Sequence, residues 1–508
     1  MDQLRENCVV LHLGSQSLCA GYYKGQFTPL AVNSASSIPA VLSYCDNSYQ
    51  LDNDELQRVG YDYLRYPLLL FGLTYNDYST SSLSNFPFGR PIVNGFNSLP
   101  CYSLSDGTCL CCEEVISKMI ECICQMVKEY VNDLSVVYII TPSYYGFNLK
   151  NKLRSCIQHA GYSCGGFLTE SEAAVLHSLY SFYSSYSDCN STARTDVYFV
   201  FSMEYLSCDG CLVVVENGVM THYPIFHTRQ LGGLSFDQVL LDYCVKKASA
   251  EGVDLFGENR EKELPNLLKV VKNARETNYV SIDFIEYSVT IDDDELQRLF
   301  GDLMRTIKQG ILDGFAHERD RIRRSFIARE RVKKVMFLSG DTMYELLKNE
   351  VLSLFKADTV VYSAVDELRG FLPHVLRSGS DRLVDVRESI NTSIGVGLNN
   401  GRVRRVVPAG SCLPFKESLP FECDSANGTF FTAVYSGDMY FNTPLIQGLR
   451  LEFRISKIID IKKGQVCNLE VQLAEDGQLT IVVVSPDSHI LYNKTRLLSI
   501  FCYVCLNS

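Results

Sequence analysis

Cys8 to Tyr23 reads CVVLHLGSQSLCAGYY. Val9 to Leu13 is a short apolar strand that stops at Gly14-Ser15-Gln16-Ser17, and a second strand, Leu18 to Tyr23, follows and turns at Lys24-Gly25. The arrangement returns about 190 residues later. There Val197 to Met203 is an apolar strand with a turn, Cys211 to Val215 follows, and Glu216-Asn217-Gly218 is a hairpin turn leading into Val219. One unit used twice predicts two related α/β halves that face each other.

The residues between and after these units alternate strands with helices. Val115, Ile116, Met119, Ile120, Ile123, Met126, Val127 and Tyr130 fall on one helical face, predicting a helix over Glu113 to Leu134. Val136 to Ile140 reads as a buried strand stopped by Thr141-Pro142. Lys150 to Ala160 and Glu170 to Tyr180 read as helices, the second opening with an acidic first turn. Leu231-Gly232-Gly233 precedes a helix from Phe236 to Lys247, and Leu296 to Phe315 is amphipathic. Val335 to Leu338 is a strand, and Ser339-Gly340-Asp341-Thr342 turns into a helix ending near Phe355. Tyr180 to Ser187 reads as a loop. Helical periodicity disappears after Asn391, where short strands alternate with Gly, Pro and Asn turns. Val471 to Ala474, Glu475-Asp476-Gly477 and Leu479 to Val484 form a hairpin pattern. The tail therefore reads as a β-sandwich.

With 508 residues, 46% hydrophobic and 21% charged, the chain has apolar mass for more than one core. Its 47 basic and 59 acidic residues leave a net charge of −12, which argues against a protein that coats nucleic acid, and no specific DNA binding is expected. No apolar run approaches the ~20 residues of a membrane span, and MDQLRENCVV lacks the basic and apolar regions of a secretory leader. Many of the 20 cysteines, such as Cys122 and Cys124, sit within apolar periodic segments and act as small hydrophobes. These features predict a reduced, cytoplasmic protein without a membrane partner. The CxxC pairs Cys109/Cys112, Cys208/Cys211 and Cys502/Cys505 are flanked by strand or helix patterns rather than knuckle turns, so no metal is expected.

The order of these pieces resembles the heat-shock-70 (DnaK-type) chaperone family. Cys8 to Tyr23 is similar to its first phosphate loop, and Ile38-Pro39-Ala40-Val41 to its P-S-x-V strand. Ile140-Thr141-Pro142-Ser143-Tyr144-Tyr145 resembles V-T-V-P-A-Y-F, and Leu168 to Ala174 resembles I-N-E-P-T-A-A. Gln230 to Asp237 resembles H-L-G-G-E-D-F-D, and Leu338 to Thr342 resembles V-G-G-S-T. The resemblance implies a duplicated actin-like (ribonuclease-H-like) nucleotide-binding domain over 1–385, a linker over 386–392 and an all-β sandwich over 393–508, without a helical lid.

It also implies where an ATPase site would lie, and several of those positions have changed. His12 replaces an Asp, and a neutral imidazole cannot substitute for a carboxylate that anchors hydrated Mg²⁺. Gln16 replaces a small hydroxyl. The second loop, D-L-G-G-G-T in the family, reads Ser202-Met203-Glu204-Tyr205-Leu206-Ser207. Only Gly lets the backbone approach phosphates closely with positive φ. A Glu204 carboxylate ~4 Å from a phosphate would cost about 4 kcal/mol per unit charge at an effective dielectric near 20. The catalytic Lys falls at Leu68, with no Lys or Arg between Arg65 and Arg90, and the adenine-side Arg falls at Met343. The adenosine-side E-x-x-K pair falls near Lys272 and Arg275. Gly14, Ser15, Gly232, Gly233 and Gly340 remain as a vestigial nucleotide cleft.

The expectation is a non-catalytic member that uses no cofactor and does not hydrolyse ATP. Its length and ending are similar to those of the ribosome-associated atypical members. That likeness implies a J-domain co-chaperone of the zuotin type, with the ribosome and nascent polypeptide as further partners. The alternative is an ATP-dependent peptide-binding chaperone with divergent motifs. Val386 to Asn391 is polar where the family linker is leucine-rich, and Ser171 replaces the E-P-T proline, so the family's coupling between domains is expected to be lost. The basic run His317 to Lys334 could touch RNA phosphates, but a solvated helix face with internal ion pairs is the favoured reading.

Overall fold

The computed structural model describes residues 8–498 except 15–16, 24–26, 32–35, 52–57, 86–87, 184–194, 206, 229–230, 258–259, 277–280, 286, 323–326, 339–344, 377–383, 388–389, 391–392, 399–401, 423–432, 438–441, 445–449, 455–462 and 475–476. Ser15, Gln16, Leu206, Gly340, Met343 and the Cys502/Cys505 pair lie outside the described residues, as does the Lys24-Gly25 turn.

Two mixed sheets share one pattern. In the first, the strands run Ser163–Thr169, Val136–Thr141, Cys8–Leu13, Ser17–Tyr23 and Phe27–Pro29. The first three are parallel, and the last two join antiparallel. In the second, the order is Asp358–Tyr362, Val332–Leu338, Thr195–Met203, Cys208–Glu216 and Val219–Thr228, with the same parallel and antiparallel joins. The repeat read from the sequence is thus a repeat of sheet topology. Parallel strands need helical crossovers, and these cover the sheet faces.

The helices Glu170–Tyr183 and Ala364–Leu376 lie in the layer between the two sheets. There they pack with Val10 and Cys19 of the first sheet and with Tyr198, Val200 and Met336 of the second. The two helices approach closely at Gly370. A β-carbon on it would lie 2.6 Å from the His177 backbone nitrogen and closer still to the Ala173 carbonyl oxygen.

From residue 393 on, the sheets among the described residues are antiparallel. One orders Asn442–Pro444, Arg402–Val407, Ser393–Gly397, Ala433–Gly437 and Arg450–Arg454. The other orders Phe415–Glu422, Val466–Leu473, Gln478–Val484 and Ile490–Leu497. Their alternating inward residues, including Val396, Val434, Leu469, Val471 and Ile481, build a separate core. The predicted hairpin is present, with Gly477 at φ +79° in its turn.

Two expectations need correction. The helix predicted to reach Leu134 ends at Lys128, since Asn132-Asp133 disfavours helix and Asp133 takes a left-handed φ of 58°. Tyr130 therefore leaves the helical face and stacks on Tyr22 at 5.4 Å. Tyr180–Tyr183, read as loop, forms the last turn of the Glu170–Tyr183 helix. The polar linker starts at the edge of the second sheet. Asp385 and Val386 pair parallel with Val219 and Met220 at the edge of the second sheet, and the Arg387 N–H donates to the Met220 carbonyl at 2.9 Å. Backbone groups make that ladder, so side-chain polarity does not oppose it. No helix among the described residues is long and apolar enough to cross a membrane.

Candidate functional site

Strand alternation aims two residues at the same place. In Cys8–Leu13, Val9, Leu11 and Leu13 face the core of the first half, while Cys8 and Val10 face the layer between the sheets. His12 continues the inward series. In Thr195–Met203, Val197, Phe199, Phe201 and Met203 face the second core, Tyr198 and Val200 face the shared layer, and Ser202 comes next. The neighbouring strands repeat the match: His12 pairs with Cys19 as Ser202 pairs with Asp209. The turns repeat it too, since Gly14 N–H donates to Ser17 O at 3.0 Å and Glu204 N–H to Ser207 O at 2.9 Å.

Glu170 lies between these two strand ends. Its helix starts with a capping box: Glu172 N–H donates to Thr169 Oγ1 at 3.2 Å, and Thr169 N–H donates to Glu172 Oε2 at 2.8 Å. The cap places Glu170 in the first turn. There, its Oε1 accepts from His12 Nε2 at 3.1 Å and its Oε2 accepts from Ser202 Oγ at 3.1 Å. One carboxylate thus joins the first sheet to the second. A second capping box, Ser363 with Asp366, starts the Ala364–Leu376 helix and sets Glu367 in its first turn, 3.5 Å from His12 Nε2. His12 is 8% exposed, Glu170 2% and Glu367 3%.

The charge distribution follows from burial. Burial alone would lower the His12 pKa, but Glu367, a hydrogen bond with Cys19, and Glu170 outweigh it and raise it well above the ordinary value. The ring's Nε2–H donates to Glu170. Burial, then repulsion from Glu170 and Glu204, pushes Asp209 well up. Glu367 is also pushed well up, chiefly by burial. Beside this cluster, His222 Nδ1–H donates to Glu172 Oε1 at 2.8 Å. Burial would raise Glu172, but the His222 charge and hydrogen bond, Lys150 and the Thr169 N–H hold it at about 2.

The second loop lies on the start of the Gly233–Ala250 helix. Gly233 N–H donates to the Glu204 carbonyl at 3.0 Å, and Leu234 N–H donates to the Tyr205 carbonyl at 2.7 Å. These are donors that a helix N-terminus otherwise presents outward. The Tyr205 ring is buried with the first half's core, and Lys272 Nζ stands 5.9 Å from its centre. A β-carbon on Gly14 would lie 3.6 Å from Glu204 Oε1 and 2.7 Å from Ser17 O. The structure therefore brings Gly14 near the Glu204 carboxylate and Gly233 onto the Glu204 carbonyl.

Other sequence-derived positions fall elsewhere. Leu68 is buried in the first core, on the one-turn helix Pro67–Leu70. Cys208 and Cys211 lie three apart on one strand, so their side chains face opposite sides. No group of three or more His, Cys, Asp or Glu side chains suited to hold a metal ion occurs among the described residues. In the basic run, Lys333 pairs with Asp196 at 3.3 Å and Arg329 Nη1 donates to Leu354 O at 3.2 Å. Sequence reasoning missed Cys19, Asp209, Glu367 and the Glu172–His222 pair. The available signal for Asp209 was the repeat itself, which pairs it with Ser202 as Cys19 pairs with His12.

Comparison with curated proteins finds distant homology to DnaK chaperones. The chain is 22% identical over 335 residues to chaperone protein dnaK1 of Parasynechococcus marenigrum, covering 62% of this chain and 48% of that protein. It is 21% identical over 328 residues to chaperone protein dnaK1 of Nostoc sp., covering 62% and 46%. It is 22% identical over 330 residues to chaperone protein dnaK3 of Synechococcus elongatus, covering 62% and 42%. The chain thus spans about half the length, or less, of the curated relatives it matches. No protein-family model matches it.

Proposed function

We propose that this chaperone-like chain, distantly homologous to DnaK, is an interaction subunit that works without turning over nucleotide. Its two mixed-sheet halves correspond in this reading to a duplicated actin-like nucleotide-binding-type domain, 1–385, that has become a scaffold. The β-sandwich, 393–508, corresponds to a substrate-binding-type domain. The observation that carries the reading is the seating of Glu204 and Tyr205 on the N-terminus of the Gly233–Ala250 helix. The residues around Gly14 and Gly233 do not fit a magnesium-bound triphosphate: loop carbonyls take the helix's first donors, a carboxylate stands against Gly14, and a tyrosine replaces glycine. A phosphate would face acceptors there, and at ~4 Å one like charge opposes it by about 4 kcal/mol.

The partner reading is a J-domain protein of the zuotin type, acting with the ribosome on nascent polypeptide. It rests on the resemblance described above. The test is calorimetric titration with Mg-ATP, phosphate release with and without a J-domain protein, and affinity purification of the tagged chain from its own cells. The expected result is no heat of binding, no release above background, and co-elution of a J-domain protein with ribosomes. Stimulated phosphate release would instead establish the alternative, an ATP-dependent peptide-binding chaperone. That alternative is favoured by one observation, the carboxyl groups Glu170 and Asp209 facing the layer between the sheets.

A further inference from the structure

The His12 cluster does something that neither the topology nor the proposed loss of turnover requires. Its members come from six separate elements of the chain: His12 and Cys19 from two strands of the first sheet, Glu170 and Glu367 from two helices, and Ser202 and Asp209 from two strands of the second sheet. Glu204, in the turn after Met203, adds a further negative charge. Carboxyl groups gathered in a dry layer repel one another and seek water unless a positive charge is present. His12 Nε2, between Glu170 at 3.1 Å and Glu367 at 3.5 Å, supplies one.

We propose that His12 is a proton-operated clasp between the two halves of the duplicated domain. With its proton on, the ring holds Glu170, which holds Ser202, and the line from the first sheet to the second is continuous. When the Nδ1 proton leaves, the Nε2–H bond to Glu170 can remain, but the positive charge opposing Glu170 and Glu367 is gone. The first turn of the Glu170–Tyr183 helix is then left with an uncompensated carboxylate, and the layer loosens. The sign is fixed by geometry and burial together. The group loses its proton as pH rises, so the clasp is closed around neutral pH and opens in alkali. The groups that act on His12 are Cys19 on the adjacent strand and Glu170 and Glu367 on the helices; Glu204 in the second loop acts on Glu367 and on Asp209 of the opposite sheet, which also feels Glu170.

Two measurements on the full chain in nucleotide-free buffer test this. Exchange of the imidazole C2 hydrogen, read by mass spectrometry on the peptide holding His12, gives that ring's own titration in the unmodified protein. The expected midpoint lies above the ordinary ~6.5, and a midpoint at or below that value overturns the proposal. Amide hydrogen exchange is then followed at residues 170–176 and 367–371, corrected for intrinsic rates. The expected result is protection that falls tenfold or more as pH rises through the His12 midpoint, and that is low at every pH in His12→Gln. Protection unchanged on either side of the midpoint overturns the proposal, as does a His12→Gln protein protected like the wild type. If His12→Gln does not fold, the two wild-type readings decide alone. Nucleotide binding enters neither measurement, so failure here and failure of the non-catalytic reading are separate results.

Discussion

Gly370 presses its backbone against the Ala173 carbonyl, at the crossing of the two helices that separate the sheets. A methyl group has no room there: it would sit 2.6 Å from the His177 nitrogen. Gly370→Ala is expected to destabilise the protein by roughly 1–3 kcal/mol, the usual cost of overpacking. Gly301, in the Asp293–Ile322 helix, has open space around its α-carbon. Gly301→Ala should stabilise by roughly 0.5–1 kcal/mol through helix propensity and loss of unfolded-state freedom. Urea unfolding of both variants checks the pair, and equal effects would contradict the packing described.

Tyr205 should matter for stability more than for nucleotide. Its ring is buried among first-half residues although its backbone belongs to the second half. Tyr205→Ala is expected to cost roughly 3 kcal/mol, by analogy with other buried aromatic truncations. It should confer no response to Mg-ATP in a thermal-shift titration. A ligand present at one hundred times its Kd would add about 2.7 kcal/mol, well within detection.

Acid should weaken the fold partly through Glu172. Its carboxyl is held at about 2 against an ordinary 4.5. A depressed carboxylate contributes stability that is fully present above about 4.5 and lost as pH falls toward 2. The amount is about 3 kcal/mol. Denaturant midpoints between pH 5 and pH 2 should fall more steeply for the wild type than for Glu172→Gln. Parallel curves would show that His222 and Lys150 do not hold the carboxylate as drawn.

Thiol labelling should discriminate sharply among the described cysteines. Burial pushes Cys124 and Cys156 up to about 12 and Cys101 up to about 11, so little thiolate is present at neutral pH. Cys109 is exposed. Alkylation of the native protein at pH 7.5, followed by peptide mapping, should mark Cys109 before these three. Early labelling of Cys124 would mean that the Cys112–Lys128 helix opens readily.

The duplicated half was legible because its signal is strong. Two apolar strands with Gly-containing turns recur at one spacing, and the sheet orders follow that repeat. His12 and Ser202 were legible as departures from a family pattern, yet their shared contact with Glu170 was not. That contact depends on a helix start far away in sequence, fixed by the Thr169–Glu172 cap. Glu367 was invisible for a related reason: it sits in an ordinary amphipathic helix, and only the close crossing at Gly370 brings it to His12. The end of the Cys112–Lys128 helix was missed because Tyr130 kept the apolar period while serving a stacking contact outside it.

The pairing of Val386 with Met220 has a consequence for the reach of the tail. Arg387 is still bonded to the second sheet, and Ile390 already exchanges hydrogen bonds with Ser411 and Gly410 in the sandwich. Three peptide steps separate those anchors, and fully drawn out they span no more than about 11 Å. The sandwich is therefore on a short leash: it cannot drift away from the body that carries it while both anchors hold.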